Sequence, residues 1–258
     1  MDFSGKVVVF FSGGLSSYLA AKRCVEEYGV DNVVLYFTDV MYEHGTLYSF
    51  IDAAARKLGC WFVVECRGKT PFDVFKEVKL MGNTRIDPCS RVLKRELSHV
   101  LVEFDCDDDT ILCIGYDWTE QSRIDKAIDN WAYNKVIFPM ADAPYLTKKQ
   151  MIEEVMDDGL IIPYLYTIGM AHNNCAGFCV KAGQGHYAVL LREDRDLYIQ
   201  HEENEQEVYD AIGKTYPFLR VTVDGQLEYM TLRQFRLHLE GNGQCDLFDI
   251  GGCGCFSE

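Results

Sequence analysis

The chain has 258 residues, 48% of them apolar, and a formal net charge of −15. This composition supports a substantial hydrophobic core and excludes a disordered chain. The acidity argues against nonspecific attachment to nucleic acids or anionic membranes, because such binding comes mainly from neutralised phosphates. The first apolar run ends at Phe11, which is too early for a signal peptide or a membrane span. We therefore expect a cytoplasmic protein without membrane contact.

The first half of the chain alternates between apolar strand patterns and helical patterns. The strands are continuous runs rich in Val, Ile and Phe, as expected when helices cover both faces of a parallel sheet. We predict a doubly wound, mostly parallel α/β domain over residues 1–145. The predicted strands are 6–11, 32–37, 61–65, 110–115 and 135–138, and the predicted helices are 17–28, 45–58, 71–81, 90–104 and 121–131.

The pattern changes after Pro144. Residues 146–258 are predicted to form an α-rich, cysteine-containing C-terminal region with a small hairpin, packed on the first domain. A capping box that starts at Thr147 predicts a helix to residue 157. The tail 241–258 is rich in glycine and cysteine, so we expect a loop whose order comes from something other than packing. The remaining predicted elements are helices over 184–197 and 204–212, a hairpin over 220–230 and a short helix after Thr231.

The apolar strand that ends at Phe11 turns through Gly13 and Gly14 into a helix. Such a turn gathers unpaired backbone N–H groups and the positive end of the helix dipole around one site, which suits phosphate. The three serines of Ser12–Ser17 add hydroxyl donors, although Ser16 could instead only cap the helix. Nucleotide-binding α/β folds place their first phosphate loop after the first strand. We therefore predict a phosphate-binding loop.

The loop Ser12–Ser17 resembles the PP-loop, S-G-G-x-D-S, of the ATP pyrophosphatase and PAPS reductase superfamily, with Ser16 in place of the family's Asp. The resemblance implies an adenine nucleotide alpha hydrolase-like fold of the HUP type that binds ATP or a related adenine nucleotide. The segment Tyr36–Asp39 is similar to the superfamily's second nucleotide-contacting segment. The nucleotide-binding residues expected on this basis are Phe11, Ser12, Gly13, Gly14, Ser16, Ser17, Phe37, Thr38, Asp39 and Gly115.

Four later segments, 117–120, 172–175, 179–184 and 252–255, resemble PAPS-reductase-like proteins that are common in bacteriophage genomes. A phage origin would place the protein in the host cytoplasm. The resemblance implies adenylation of an acceptor, in sulfur transfer or in modification of a nucleobase or tRNA, with pyrophosphate leaving. Two alternatives stay open: reduction of PAPS or APS, and a non-catalytic nucleotide-sensing or partner-binding protein.

The chain contains eleven cysteines. Cytosolic thiols are kept reduced and an odd number cannot all pair, so metal binding or thiol chemistry is expected. Cys175 with Cys179, and Cys253 with Cys255, form two short-spaced pairs of the kind that builds a four-thiolate metal site. Thiolates permit either Zn²⁺ or an iron–sulfur cluster. The sulfur chemistry of the superfamily favours the cluster.

Cys89 lies at a predicted helix start among several cations, and both features favour the thiolate. The segment 87–95 also resembles the C-x-x-R-K-x-x-P-L stretch of APS and PAPS reductases, where nearby cysteines bind a cluster in one subclass and basic residues meet the sulfonucleotide. Cys89 is therefore either a nucleophile or an alternative cluster ligand. The residues expected to bind the substrate anion are Arg85, Arg91, Arg95, Arg123 and Lys181.

Asp117 and Glu120 follow the fourth predicted strand, at the edge where open α/β sheets bind ligands. They are candidate catalytic residues that hold Mg²⁺ bridged to phosphates. The alternative is an acid-rich first helical turn, which needs no ligand. His172 is expected either to orient a cluster or contact a substrate, or to be a buried structural histidine.

Overall fold

A computed structural model of the chain describes residues 1–223 and 225–252. Its centre is a five-stranded sheet in the order β3-β2-β1-β4-β5, and every neighbouring pair of strands is parallel. A separate antiparallel hairpin joins β6 to β7. The strands are β1 Val7–Phe10, β2 Val33–Asp39, β3 Trp61–Cys66, β4 Ile111–Cys113, β5 Lys135–Ile137, β6 Leu219–Val223 and β7 Gln226–Met230.

Helices connect and surround these strands. None of the helices in the described ranges combines the length and the apolar character that crossing a bilayer requires. The helices are α1 Leu15–Tyr28, α2 Gly45–Leu58, α3 Pro71–Val78, α4 Pro88–Ser90, α5 Glu96–Asp105, α6 Gln121–Asn130, α7 Lys148–Asp157, α8 Tyr164–Thr167, α9 Gln184–Glu193, α10 Arg195–Ile212 and α11 Leu232–Glu240.

Both faces of the central sheet are covered. Val7 and Val9 of β1 pack into a cluster with apolar residues of α1, α2 and α7. Val8 and Phe10 point to the opposite face and pack into a cluster with residues of α5 and α6. The alternation follows from the two-residue period of a strand. The predicted doubly wound α/β class is confirmed.

A second core lies outside the sheet. It is built from aromatic and aliphatic residues of α3, α9, α10, α11 and the hairpin, including Phe75, Phe178 and Tyr198. Met151 and Val155 of α7 belong instead to the first core. We propose that the second core defines the C-terminal region expected over 146–258 and that α7 ties this region to the sheet.

Three predicted helices differ clearly from those observed. The predicted helix 184–197 is divided at Asp194, because its non-helical backbone (φ −144°, ψ 77°) ends α9 while its carboxylate accepts the N–H of Leu197 at 3.0 Å and caps α10. The predicted helix 204–212 is the second half of α10. The predicted helix 90–104 begins earlier, at Pro88, and contains a π-helical turn over Arg91–Arg95.

One close contact sets the position of α1 on the sheet. A Cβ atom on Gly115, just after β4, would lie 2.8 Å from the Cα and 2.9 Å from the backbone N of Ser17. Real Cβ atoms do not approach backbone so closely, so only glycine lets the start of α1 rest against the end of β4. This contact places the start of α1 at the end of β4, next to the end of its paired neighbour β1.

Replacing Gly115 by alanine tests this contact. We expect G115A to lower the free energy of unfolding by about 1–3 kcal/mol, because overpacking against backbone forces a shift. Urea denaturation measures the change. Gly45 is the matched control, since a Cβ there meets nothing within 4 Å, and G45A should change stability little. Equal stability of G115A and wild type would contradict the packing described.

Candidate functional site

A cleft of about 420 Å³ opens at the carboxyl ends of β1 and β4. The strand order reverses between these two strands, and open α/β sheets bind their ligands at such a switch point. We call it the switch-point cleft. It is lined by Phe10, Ser12, Gly14, Leu15, Ser16, Ser17, Ile114, Gly115, Tyr116, Asp117, Thr119, Glu120, Arg123, Lys148, Tyr166, Ala171, His172, Asn174 and Ile250.

The turn into α1 forms the floor of this cleft. Gly14 is the N-cap residue of α1 and makes no side-chain capping hydrogen bond, while its own N–H donates to the Ser12 Oγ at 3.4 Å. The interpretation of Ser16 as the cap is therefore wrong: Ser16 lies within the first turn, and its Oγ contacts the Met151 sulfur at 3.5 Å. The Ser17 hydroxyl donates to the Gly14 carbonyl at 2.8 Å. The N–H groups of the first turn thus face the cleft without a capping side chain, which suits an anion.

The remaining residues expected to bind the nucleotide do not line the cleft. The side chains of Phe11 and Phe37 are buried in the first core, so only their backbones are candidates for ligand contact. Gly13 has φ +75°, and a Cβ there would lie 2.6 Å from Ile51. Thr38 is buried. Asp39 accepts hydrogen bonds from the Tyr48 hydroxyl at 2.7 Å and the Met41 N–H at 2.8 Å.

Asp117 and Glu120 build the turn before α6. Glu120 accepts the N–H of Asp117 at 3.1 Å and pairs with the guanidinium of Arg123. Asp117 accepts the N–H of Thr119 at 2.8 Å and its hydroxyl at 2.5 Å. The Arg123 guanidinium also lies 4.1 Å from the centroid of the Tyr116 ring. Both carboxylates line the cleft and also stabilise their own turn. The two hydrogen bonds of Asp117 use the same oxygen, whereas the contacts of Glu120 use both of its oxygens, so Asp117 is the better candidate for a metal ligand.

Lys148 is a cleft residue that sequence reasoning missed. It is the first residue of α7, and its Nζ lies 4.4 Å from the centroid of the Tyr166 ring. Burial lowers the pKa of Lys148, while Asp117 and Glu120 raise it. The sequence marks only the capping box at Thr147 and cannot distinguish Lys148 from the adjacent Lys149, because tertiary packing decides which of the two meets the cleft.

His172 lies in the wall opposite the α1 turn. Both of its ring nitrogens are buried, and neither has a hydrogen-bond partner among the described residues. Its ring stacks on His186 at a centroid distance of 4.8 Å, and the His186 Nε2 contacts the Gly177 carbonyl oxygen at 2.7 Å. Burial, then the neighbouring His186, holds the pKa of His172 well below its usual value. Buried polar atoms of proteins usually have a protein or water partner, so both ring nitrogens of His172 are candidates for contact with a ligand in the cleft.

A second cavity gathers three of the cysteines. Cys89, Cys175 and Cys179 line it together with Lys94 and Lys181, among apolar neighbours. We call it the thiol cavity. Asn174 lines both this cavity and the switch-point cleft, so the two share a wall.

The predicted ligands Cys253 and Cys255 lie outside the described residues. Within residues 1–223 and 225–252, no three His, Cys, Asp or Glu side chains form a site for a single metal ion. The cysteine ligands of an iron–sulfur cluster bind different irons, so a cluster does not require such convergence.

The five residues predicted to bind a substrate anion do not form one site. Arg123 lines the switch-point cleft and Lys181 the thiol cavity. Arg85, Arg91 and Arg95 line a third cleft of about 310 Å³. The buried carboxylate of Asp87 lies between these regions and pairs with Arg95 at 3.1 Å and with Lys181 at 3.4 Å. The three arginines that are close in sequence thus share one cleft, whereas Arg123 and Lys181 each line a different one.

The tail passes from the cleft to the cavity. Ile250 lines the switch-point cleft, and its carbonyl accepts the N–H of Gly183 at 3.1 Å. The Gly252 N–H donates to Lys181, and the Gly252 carbonyl oxygen lies 3.8 Å from the Cys179 sulfur. A Cβ on Gly183 would lie 2.2 Å from the carbonyl oxygen of Asp249. The expectation that packing does not order the tail is therefore wrong for residues 246–252, which main-chain hydrogen bonds and glycine contacts hold in place.

Comparisons with known proteins concern the fold. No family model matches the chain, and a search of curated proteins finds no match. The structure is similar to the U34-tRNA thiolase NcsA from Methanococcus maripaludis, solved with its 4Fe–4S cluster, at 18% identity and TM-score 0.46, over 81% of this chain and 71% of that chain. It is also similar to the NH3-dependent NAD synthetase from Campylobacter jejuni, solved with a nitrate ion, at 16% identity and TM-score 0.38, over 83% and 89% of the two chains.

The buried His186 predicts a pH dependence of stability. Burial lowers the pKa of His186 to about 4 from 6.5, so the unfolded chain binds more protons than the folded one between these values. The free energy of unfolding should therefore fall as the pH drops through this window. In H186N the free energy of unfolding should depend less steeply on pH. The difference should be at most that of one bound proton, which is about 1.4 kcal/mol per pH unit. Urea titrations at several pH values measure it, and parallel curves for the two proteins would contradict the prediction.

Proposed function

We propose that the protein binds ATP or a related adenine nucleotide in the switch-point cleft and transfers the adenylyl group to an acceptor. The acceptor class we propose is that of sulfur transfer or nucleobase modification, such as a nucleobase or tRNA. One observation carries the proposal. The uncapped N-terminus of α1 and the cations Arg123 and Lys148 line one cleft at the topological switch point. That combination suits a polyphosphate.

The chain's own groups supply phosphate binding and charge stabilisation. The N–H groups of the first turn of α1 would hold the phosphates, and the hydroxyls of Ser12 and Ser16 line the same cleft. An acceptor atom would attack the α-phosphorus while the bond from phosphorus to the bridging oxygen breaks, and pyrophosphate would leave with the electron pair. Lys148 and Arg123 would stabilise the charge that develops on the departing phosphates. Asp117 would hold Mg²⁺, which neutralises phosphate charge when bound.

The neutral His172 would contact the acceptor or the nucleotide. Its two ring nitrogens offer one donor and one acceptor, and neither is used within the described part of the chain. Ser16 replaces the carboxylate of the family loop, so it can contribute a hydroxyl to phosphate binding but no ligand charge to a metal ion.

The donor set of the thiol cavity, and not its volume of about 30 Å³, supports a cysteine-ligated iron–sulfur cluster. The cavity brings together three thiols, the soft donors that such clusters require. Its two lysines are paired with buried carboxylates, Lys94 with Glu43 and Lys181 with Asp87.

Cys89, Cys175 and Cys179 would hold the cluster. Cys253 is a further candidate because it follows Gly252, whose carbonyl lies next to the Cys179 sulfur, and Cys255 is a further candidate by sequence. When bound, the cluster would supply one-electron redox chemistry. Zn²⁺, the alternative expected from the sequence, is the weaker candidate, because the side chains of the described residues do not converge on a single ion.

Sulfonucleotide reduction is the second candidate. It is favoured by the position of Cys89, which lines the thiol cavity and directly follows Asp87 and Pro88, two residues that line the arginine-lined cleft. In that reaction a thiolate would take the sulfonate from the nucleotide, and a thiol reductant would release sulfite.

Product analysis tests the proposed function. Protein incubated with ATP, Mg²⁺ and a tRNA or nucleoside pool should release pyrophosphate. K148M should weaken ATP binding by about tenfold or more, because a charge-assisted contact to phosphate is lost. Isothermal titration measures the affinity. The matched control is K149M, since the Lys149 side chain is 85% exposed and should leave ATP affinity unchanged.

Other products would decide against adenylation. Sulfite release from PAPS with a thiol reductant would select the reductase. Tight nucleotide binding with neither product would select the nucleotide-sensing protein. Equal effects of K148M and K149M would contradict the placement of the phosphates beside Lys148.

Metal analysis tests the thiol cavity. Anaerobically purified protein should contain iron and acid-labile sulfide with a visible charge-transfer band. C89S, C175S and C179S should each lower the iron content, whereas C66S should not, because Cys66 is exposed and does not line the cavity. Zinc without acid-labile sulfide would show that the cavity holds a zinc site and not a cluster. Protein with neither metal, or unchanged metal in all three cavity variants, would contradict the proposal.

A further inference from the structure

The loop that carries Cys175 has an unusual backbone. Cys175, Ala176 and Gly177 have successive φ values of 51°, 49° and 87°. L-residues other than glycine seldom occupy this left-handed region, and two in succession persist only where the surroundings hold them. The sequence Cys-Ala-Gly contains only one glycine, so local preference does not explain the conformation. The groups that bind this loop must therefore impose it.

A buried carboxylate holds the N–H side of the loop. Glu43 lies in the segment between β2 and α2, and its side chain is fully buried. Its Oε2 accepts the N–H of Cys175. Burial raises the pKa of Glu43 to about 7, while Lys94, which lies 3.8 Å from Oε1, lowers it. One buried carboxyl group thus binds the N–H of the first left-handed residue.

Two buried histidines hold the carbonyl side. The His201 Nε2 lies 2.9 Å from the Ala176 carbonyl oxygen, and its Nδ1 lies 3.1 Å from the Tyr42 hydroxyl. Asn204 donates to the Tyr42 oxygen at 2.7 Å, so the Tyr42 hydroxyl is left to donate to Nδ1 and the ring proton lies on Nε2. His186 reaches the Gly177 carbonyl at 2.7 Å in the same way. Each carbonyl therefore accepts from a buried imidazole.

Tyr42 and Glu43 are adjacent in the chain and act on opposite sides of this loop. Neither lines the thiol cavity or the switch-point cleft. We propose that Glu43 is a positioning residue, which fixes the backbone of Cys175 so that its thiol faces the cavity, and that Tyr42 supports it through His201. The role of Cys175 rests on the proposed function, but the conformation of the loop does not.

The reactivity of Cys175 in reduced, metal-free protein tests this role. Iodoacetamide labelling, followed by mass spectrometry of the peptides, measures its alkylation rate against the exposed Cys66 as internal reference. We expect E43A to alkylate Cys175 about tenfold faster or more, because a charge-assisted hydrogen bond no longer holds the loop. E43Q keeps one acceptor oxygen, so its rate should lie between those of wild type and E43A.

A matched variant separates positioning from general stability. Glu205 is also a buried carboxylate that accepts a backbone N–H, from Leu232 at 2.7 Å. E205Q should therefore lose stability while Cys175 alkylates at the wild-type rate. If E43A does not fold, E43Q provides the test, because its Cys175 should still be alkylated faster than that of the wild type.

Two results would overturn the proposal. One is a folded E43A or E43Q protein that alkylates Cys175 at the wild-type rate, and the other is an equal acceleration in E205Q. Because the measurement uses metal-free protein, failure of the metal proposal appears separately, as absence of iron and zinc from the purified wild type.

Discussion

The contact between Gly115 and Ser17 is the constraint on which the switch-point cleft depends. It lets the N-terminus of α1 reach the carboxyl end of β4. The parallel pairing of β1 with β4 brings the ends of these strands together, and the strand order reverses there. Arg123 and Lys148 line the resulting cleft together with Asp117 and Glu120. A bulkier residue at position 115 would separate α1 from β4.

The C-terminal region places the thiols of Cys175 and Cys179 in the cavity next to this cleft. Its aromatic core fixes α9 and α10, and these helices carry His186 and His201, which bind the carbonyls of the Cys175 loop. The other side of the loop is held by Glu43, which comes from the sheet half of the molecule. Asn174, the neighbour of Cys175, lines both cavities. The wall between the switch-point cleft and the thiol cavity is therefore built by both halves of the chain.

Local patterns in the sequence predicted most of the elements. Helix α2 has the predicted bounds, and the capping boxes at Thr147 and Thr231 begin α7 and α11 as expected. Hydrophobic periodicity and capping act over a few residues, so a sequence displays them directly. The division at Asp194 was missed because its side chain caps a helix that starts within a continuous helical pattern.

The partners of the site residues could not be predicted in the same way. The carboxylate of Asp87 meets Lys181, and Glu43 meets Lys94 and Cys175, across long stretches of chain. The selection of Lys148 rather than Lys149 depends on how α7 packs on the first core. Such pairings follow from tertiary packing, which leaves no periodic or spacing pattern. The loop Ser12–Ser17 was visible because its glycines and serines are contiguous.

Diffraction from anaerobically grown crystals with a non-hydrolysable ATP analogue tests the central claim most directly, with data recorded at the iron edge. We predict phosphate density against the backbone N–H groups at the start of α1 and beside Lys148, and an anomalous iron peak among Cys89, Cys175 and Cys179. Nucleotide bound away from the switch-point cleft, or three metal-free thiols in the cavity, would contradict it.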